Sequence, residues 1–143
     1  MTEVLDLFSE EETFELGRKI SSEAVPNTVY CLTGDLGVGK TVFAKGFAKG
    51  LGIEEPVNSP TFTILQVYEE GRLPFYHFDV YRIADVEEMY EIGTDDAFFG
   101  GGVSLVEWGE MIEEILPEGY VKILIEKDLS KGLDYRKVTI TQN

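Results

Sequence analysis

Cysteine and histidine are almost absent from this chain of 143 residues, which contains one of each. A single cysteine, Cys31, excludes an internal disulfide and fits a reducing compartment. The one histidine, His77, has no second histidine or cysteine at ligand spacing, which argues against a zinc site. We expect His77 to make a structural hydrogen bond or to orient Asp79.

Positive charge is also scarce, since 12 Lys and Arg accompany 27 Asp and Glu and leave a formal net charge of -15. So acidic a surface repels polyanions, and we do not expect this chain alone to bind nucleic acid tightly. No apolar run approaches the roughly 20 residues of a membrane span, and the acidic N-terminus does not resemble a secretory signal. We therefore expect a cytoplasmic protein without membrane contact, folded as one domain over residues 1–143.

The most informative stretch is a glycine-rich loop at residues 34–41, Gly-Asp-Leu-Gly-Val-Gly-Lys-Thr. It fits the P-loop pattern of Gly, four residues, Gly, Lys and then Ser or Thr. A short β-branched strand is predicted before it at 28–33, and apolar residues at helical spacing follow it until Gly50 and Gly52. This context predicts an α/β fold, a small three-layer P-loop NTPase whose central, mostly parallel mixed β-sheet is flanked by helices.

The loop predicts the phosphate contacts of a nucleotide. Its backbone N–H groups would surround phosphate oxygens, and the N-terminal end of the following helix would add a positive partial charge. Lys40 would reach the β- and γ-phosphates as a catalytic cation, and the hydroxyl of Thr41 would bind Mg²⁺. The expected nucleotide contacts are Asp35, Leu36, Gly37, Val38, Gly39, Lys40, Thr41 and Val42.

A second candidate contact lies at the start of the first predicted helix, where Ser9 and Glu12 have the spacing of a capping box. In small P-loop folds the N-terminal segment often lies near the base, so Ser9 or Thr13 could contact adenine. Helix capping alone is the alternative. Before the helix, residues 4–8 predict a short edge strand.

Two carboxylates are expected where buried strands end. Asp79 could hold a metal-bound water or orient the attacking water. Glu107 follows the apolar run 103–106 in the manner of a Walker B strand, with Glu in place of the commoner Asp, and is the second candidate for the Mg²⁺ shell. The alternative for Glu107 is a surface position at the beginning of a helix at 110–116.

The polar segment 57–63 holds three hydroxyls, among them Thr61, where P-loop switch proteins sense the γ-phosphate. A proline-containing turn is the alternative. Residues 65–68 and 73–78 predict a hairpin. A short amphipathic helix is predicted at 85–92 and two further strands at 120–126 and 135–141.

Four motifs, in this order along the chain, resemble the TsaE family. They are the loop 34–41, Ser59-Pro60-Thr61-Phe62, His77-Phe78-Asp79-Val80-Tyr81-Arg82 and Val106-Glu107-Trp108. The resemblance implies a P-loop ATPase that is needed for the threonylcarbamoyladenosine modification of tRNA next to the anticodon and that acts on a complex of TsaD and TsaB. It also implies ATP and Mg²⁺ as cofactors, with tRNA reached only through the partner proteins.

The same resemblance assigns roles to individual residues. Thr41 and Glu107 match the family's Mg²⁺ ligands, Asp79 matches its catalytic or water-ordering acid, and residues 59–62 match its first switch. Trp108 would lie beside the nucleotide. The C-terminal region matches less closely, so no role follows for Arg136, and a homo-oligomer is left open.

Other classes of function stay open on the residues alone. A small-metabolite or nucleoside kinase also has a P-loop in a domain of this size, but it usually closes a basic lid over the phosphates. Residues 93–120 contain no Arg or Lys to form one. A GTPase switch would normally carry Asn-Lys-x-Asp or Thr-Lys-x-Asp, which the chain lacks. A non-hydrolysing, ATP-gated binding module would also fit.

Overall fold

The computed structural model describes residues 2–35, 37–57, 64–81 and 87–142. The expected nucleotide contacts Leu36 and Thr61, the switch expected at 59–62 and Arg82 lie outside these ranges. Within the ranges, the strands form one sheet and helices cover both of its faces.

The described ranges contain seven strands. They are β1 (Thr2–Leu7), β2 (Thr28–Thr33), β3 (Leu65–Tyr68), β4 (Phe75–Asp79), β5 (Val103–Glu107), β6 (Val121–Lys127) and β7 (Arg136–Gln142). Their order across the sheet is β1-β7-β6-β2-β5-β4-β3. The four central strands β6, β2, β5 and β4 are parallel, whereas β1, β7 and β3 are antiparallel to their neighbours. The predicted mixed sheet with a parallel centre is confirmed.

Strand β2, which leads into the P-loop, lies in the middle of the sheet between β6 and β5. Its sequence is apolar at successive positions rather than alternating, and residues 29–33 are buried. A strand covered by helices on both faces has this pattern. The carboxyl ends of β2, β5 and β4 therefore meet at one edge, which is where open α/β sheets bind their ligands.

Helices α1 (Glu10–Ser22) and α2 (Lys40–Gly50) cover one face of the sheet. The other face is covered by α3 (Glu87–Ile92), α4 (Thr94–Phe98) and a 3-10 helix at Gly109–Ile115. A second 3-10 helix, Leu129–Lys131, lies between β6 and β7. None of the helices in the described ranges has both the length and the apolar character needed to cross a membrane.

The helix expected at 110–116 differs from the structure, which has a 3-10 helix with non-helical angles at Ile112. It follows directly on Trp108, whose φ of 62° is left-handed. The next residue, Gly109, packs so closely on β2 that an added Cβ would lie 3.2 Å from the Cβ of Cys31. This tight return of the chain favours the narrower 3-10 geometry over a regular α-helix.

Helices α1 and α2 pack closely because glycines lie at their contact. A Cβ added at Gly17 would collide with the carbonyl oxygen of Phe43, and one added at Gly46 would lie 2.8 Å from the carbonyl carbon of Phe14. This close approach brings the start of α1 to the P-loop. Thr13 Cγ2 would lie 3.8 Å from a Cβ placed on Gly39.

Candidate functional site

The P-loop joins β2 to α2 at the carboxyl edge of the sheet. Gly34, Gly37 and Gly39 have φ angles of 149°, 79° and 111°, which side chains rarely tolerate. A Cβ at Gly34 would also collide with the carbonyl oxygen of Ile125. Gly39 is the N-cap of α2, and no side chain in the described ranges caps that helix. The first N–H groups of α2 are therefore suited to bind an anion.

Lys40, the first residue of α2, is 6% exposed. Its ammonium donates to the carbonyl oxygen of Gly34 at 2.6 Å and lies 3.4 Å from the centroid of the Trp108 ring. Burial lowers the pKa of Lys40, and nearby carboxylates, Glu107 first, oppose that shift. The cation is held by a neutral carbonyl and an aromatic face, which a phosphate group would replace as a stronger partner.

A cavity of about 270 Å³ lies beside Lys40. It is lined by Gly37, Gly39, Lys40, Thr41, Val42, Asp79, Glu107 and Trp108. Asp79 and Glu107 are register partners at the ends of the parallel strands β4 and β5. The structure thus brings the three residues expected to be catalytic, and both expected Mg²⁺ ligands, to one cavity.

Asp79 is the last residue of β4, and its Oδ1 accepts a hydrogen bond from the backbone N–H of Tyr81 at 3.1 Å. Burial raises the pKa of the Asp79 carboxyl, the Tyr81 hydrogen bond opposes that rise, and the nearby Glu107 adds to it. A carboxyl group with a raised pKa that lines such a cavity can accept a proton or order a water molecule.

Glu107 is 3% exposed, so the alternative of a surface position at the beginning of a helix is wrong. Its Oε2 lies 2.6 Å from Nε2 of His77. His77 therefore makes the structural hydrogen bond predicted as one of its two roles. Its partner is Glu107, a contact that the sequence did not predict, and Asp79 is held instead by the backbone of Tyr81.

The residues of this cavity fit a magnesium ion shared with a nucleotide. Thr41, Asp79 and Glu107 supply hydroxyl and carboxylate oxygens, the ligands that Mg²⁺ prefers. In the part of the chain that the structure describes, no three His, Cys, Asp or Glu side chains could hold a metal by themselves. Mg²⁺ does not need such a group, because it usually binds through one or two carboxylates, water and substrate phosphates.

Ser9 and Thr13 lie on the α1 side of the P-loop. Ser9 is the N-cap of α1 and accepts a hydrogen bond from the N–H of Glu12 at 3.2 Å, which is the predicted helix cap. Ser9 and Thr13 also line a pocket of about 60 Å³, together with loop residues 37–39 and Arg136. Helix capping and a position beside the loop are therefore compatible.

Arg136, the first residue of β7, belongs to the site although sequence reasoning gave it no role. Its Nε donates to the carbonyl oxygen of Val38 in the P-loop at 2.7 Å. Its Nη1 donates to the carbonyl oxygens of Leu133 and Tyr135 at 2.9 and 2.7 Å. The guanidinium thus ties the P-loop to the connection between β6 and β7.

A larger cavity of about 580 Å³ lies on the β6 side of the loop, and its lining includes Asp35, Val38, Glu110 and Lys127. Trp108 lines both this cavity and the smaller one beside Lys40. Burial raises the pKa of the Glu110 carboxyl, which Lys40 opposes. Glu110 and Lys127 were not predicted as site residues, because no motif marks either of them.

Comparison with known proteins identifies the family. The family model described as "Threonylcarbamoyl adenosine biosynthesis protein TsaE" matches residues 7–138. A Bacillus subtilis (strain 168) protein named "tRNA threonylcarbamoyladenosine biosynthesis protein TsaE" is 50% identical over 131 residues, covering 92% of this chain and 80% of that protein. A Treponema pallidum protein of the same name is 45% identical over 115 residues, covering 80% of this chain and 84% of its own.

The fold comparison agrees with the sequence comparison. The crystal structure of Bacillus subtilis YdiB matches with a TM-score of 0.85 and 42% sequence identity. The match covers 99% of this chain and 86% of that one. The predicted resemblance is confirmed: this chain belongs to the TsaE family.

Proposed function

We propose that this chain binds ATP with Mg²⁺ and hydrolyses it as a subunit required for the threonylcarbamoyladenosine modification of tRNA next to the anticodon. In this proposal it acts on a complex of TsaD and TsaB. Membership of the TsaE family supports the pathway. The observation that carries the ATP site is one cavity lined by Lys40, Thr41, Asp79 and Glu107 at the carboxyl edge of the sheet.

The chemistry follows from these positions. The ammonium of Lys40 would leave the Gly34 carbonyl and the Trp108 ring to pair with the β- and γ-phosphates. The Thr41 hydroxyl and Glu107 would hold Mg²⁺, and the ion would supply positive charge to the phosphates. Asp79 would order the attacking water, since it stands beside Glu107 at the end of the neighbouring strand.

The acidity of the chain supports a division of labour between subunits. A net charge of -15 disfavours direct contact with tRNA. TsaD and TsaB would therefore bind the tRNA, and this chain would contribute the ATP cycle. A gel-shift experiment at physiological salt tests this point, and tight tRNA binding by the isolated chain would contradict it.

The central experiment measures phosphate release from MgATP with and without purified TsaD and TsaB. We expect slow turnover alone and a change in rate with the partners. Lys40→Ala and Thr41→Ala should each lower turnover by about 100-fold or more, the usual effect of removing a group that stabilises transition-state charge. Glu107→Ala should weaken the dependence on Mg²⁺. Lys45→Ala, an exposed lysine on the same helix, is the matched control.

Unchanged turnover in all three site variants would refute the proposed site. The absence of any partner effect would favour the small-metabolite kinase instead, and phosphate release without a phosphorylated metabolite would exclude that kinase. Competition between ATP and GTP for binding tests the choice of base.

A further inference from the structure

We infer that His77 is the positioning residue of Glu107 and holds its carboxylate in the orientation that a metal–nucleotide complex requires. The inference deepens the proposed function and rests on it. Nε2 of His77 and Oε2 of Glu107 are 2.6 Å apart, and the two side chains are 1% and 4% exposed. A contact this short and this buried is shielded from water, so it can fix the carboxylate group.

Strand register explains why these two side chains meet. The parallel strands β4 and β5 pair His77 with Leu105 and Asp79 with Glu107. Because residues two apart on a strand share a face, His77 and Asp79 lie on one face of β4. His77 therefore reaches Glu107 diagonally, from a position two residues before Asp79 on β4. Asp79 and Glu107 themselves line the cavity.

The proposed metal site sets the direction of this hydrogen bond. As a metal ligand Glu107 would be a carboxylate, which only accepts hydrogen bonds, so Nε2 of His77 would be the donor. Nδ1 of His77 is buried and has no hydrogen-bond partner within the described ranges. The contact to Glu107 is therefore the one hydrogen bond that the His77 ring makes among the described residues.

Core packing sets the plane of the imidazole ring. The ring of His77 stacks on that of Phe75, with centroids 5.5 Å apart and planes inclined by 13°. The stack fixes the plane of the ring, and the hydrogen bond to Glu107 selects, of the two orientations in that plane, the one that directs Nε2 at the carboxyl group. A residue that merely filled space here would need no hydrogen-bond donor, which separates a positioning role from a packing role.

The matched variants follow from this difference. His77→Gln places an amide nitrogen near the position of Nε2, whereas the shorter side chain of His77→Asn cannot reach Glu107. His77→Leu keeps apolar volume without a donor. Ser104→Ala is the control, because Ser104 is a buried polar residue of β5 whose Oγ has no partner in the described ranges.

The experiment measures Mn²⁺ binding by electron paramagnetic resonance in the presence of ADP, using the full chain. We expect His77→Asn and His77→Leu to weaken Mn²⁺ binding by about 10- to 100-fold, the usual effect of losing a hydrogen-bond partner of a metal ligand. His77→Gln and Ser104→Ala should stay close to wild type. ADP affinity measured with EDTA should be the same in all variants, since His77 acts only through Glu107.

A double variant tests whether His77 acts through Glu107. In a Glu107→Gln background, His77→Asn should cause no further loss of Mn²⁺ binding. Wild-type Mn²⁺ affinity in His77→Asn would overturn the inference. So would equal losses in the Gln and Asn variants, or a collapse of the thermal transition in both, because either result assigns His77 to packing. No Mn²⁺-dependent ADP binding in the wild type would instead overturn the proposed metal–nucleotide site itself.

Discussion

Removal of the Arg136 guanidinium should weaken nucleotide binding, although Arg136 is 98 positions away from the loop residue whose carbonyl it contacts. Its Nε holds the carbonyl oxygen of Val38, and that carbonyl lies between the loop glycines that would surround the phosphates. Without the guanidinium, the peptide of Val38 loses the contact that fixes its direction. Part of the binding free energy would then be used to order the loop.

The size of the effect can be worked from the contact. A hydrogen bond to a charged group contributes about 1.5–3 kcal/mol, and Arg136 is only partly buried, so the lower value applies. About 1.4 kcal/mol corresponds to a tenfold change in Kd. We therefore expect Arg136→Ala to weaken MgADP binding about tenfold. The affinity of Arg136→Lys for MgADP should lie between those of wild type and Arg136→Ala, because lysine keeps the positive charge but lacks the several N–H donors of the guanidinium group.

Titration calorimetry with MgADP checks this prediction, and Lys137→Ala provides the control. Lys137 is the exposed neighbour of Arg136 on β7, so this variant removes the same charge without touching the contact to Val38. It should bind MgADP within about twofold of wild type. Wild-type affinity in Arg136→Ala would refute the reasoning, and an equal loss in Lys137→Ala would assign the effect to net charge.

Two further predictions concern the helix contact and the lysine. Gly46→Ala should lower the thermal stability. The added Cβ would collide with the Phe14 backbone at a cost of about 1–3 kcal/mol or more, whereas the gain in helix propensity is only about 1 kcal/mol. An unchanged or higher Tm would contradict this prediction. Trp108 is the only tryptophan, and its fluorescence emission should change when a bound nucleotide draws the Lys40 ammonium away from its ring. If nucleotide changes the emission of the Lys40→Met variant by the same amount, movement of Lys40 is not the cause.

Local patterns predicted most of the fold because they are strong in this chain. The P-loop, the buried strand before it and the Ser9 cap each depend on neighbouring residues, and the observed α1 and β2 begin where those signals lie. The 3-10 geometry of Gly109–Ile115 was missed for the opposite reason. It results from the close contact of Gly109 with Cys31, two residues that lie far apart in sequence.

The candidate site also combines residues that local patterns predicted with a contact between distant residues that they did not predict. Lys40, Thr41, Asp79 and Glu107 were predicted because each belongs to a motif or ends an apolar strand, and the structure places them around one cavity. The pairing of His77 with Glu107 depends on the register of two parallel strands, which sequence spacing does not specify. A lone histidine two residues before an acidic strand end is the one signal that could have indicated it.

The charges around the cavity explain why the proposed function needs a divalent cation. Within the described residues, carboxylates surround Lys40 and oppose the fall that burial causes in its pKa. A triphosphate would bring several more negative charges to this place, and the chain's net charge of -15 gives no favourable long-range field. In the proposed function, binding would then come from short-range partners, namely the loop N–H groups, Lys40 and a Mg²⁺ ion that Thr41 and Glu107 would hold. If nucleotide binding depends on the metal in this way, the orientation of the Glu107 carboxylate would matter more here than in a basic site, and His77 is the side chain in hydrogen-bond contact with it.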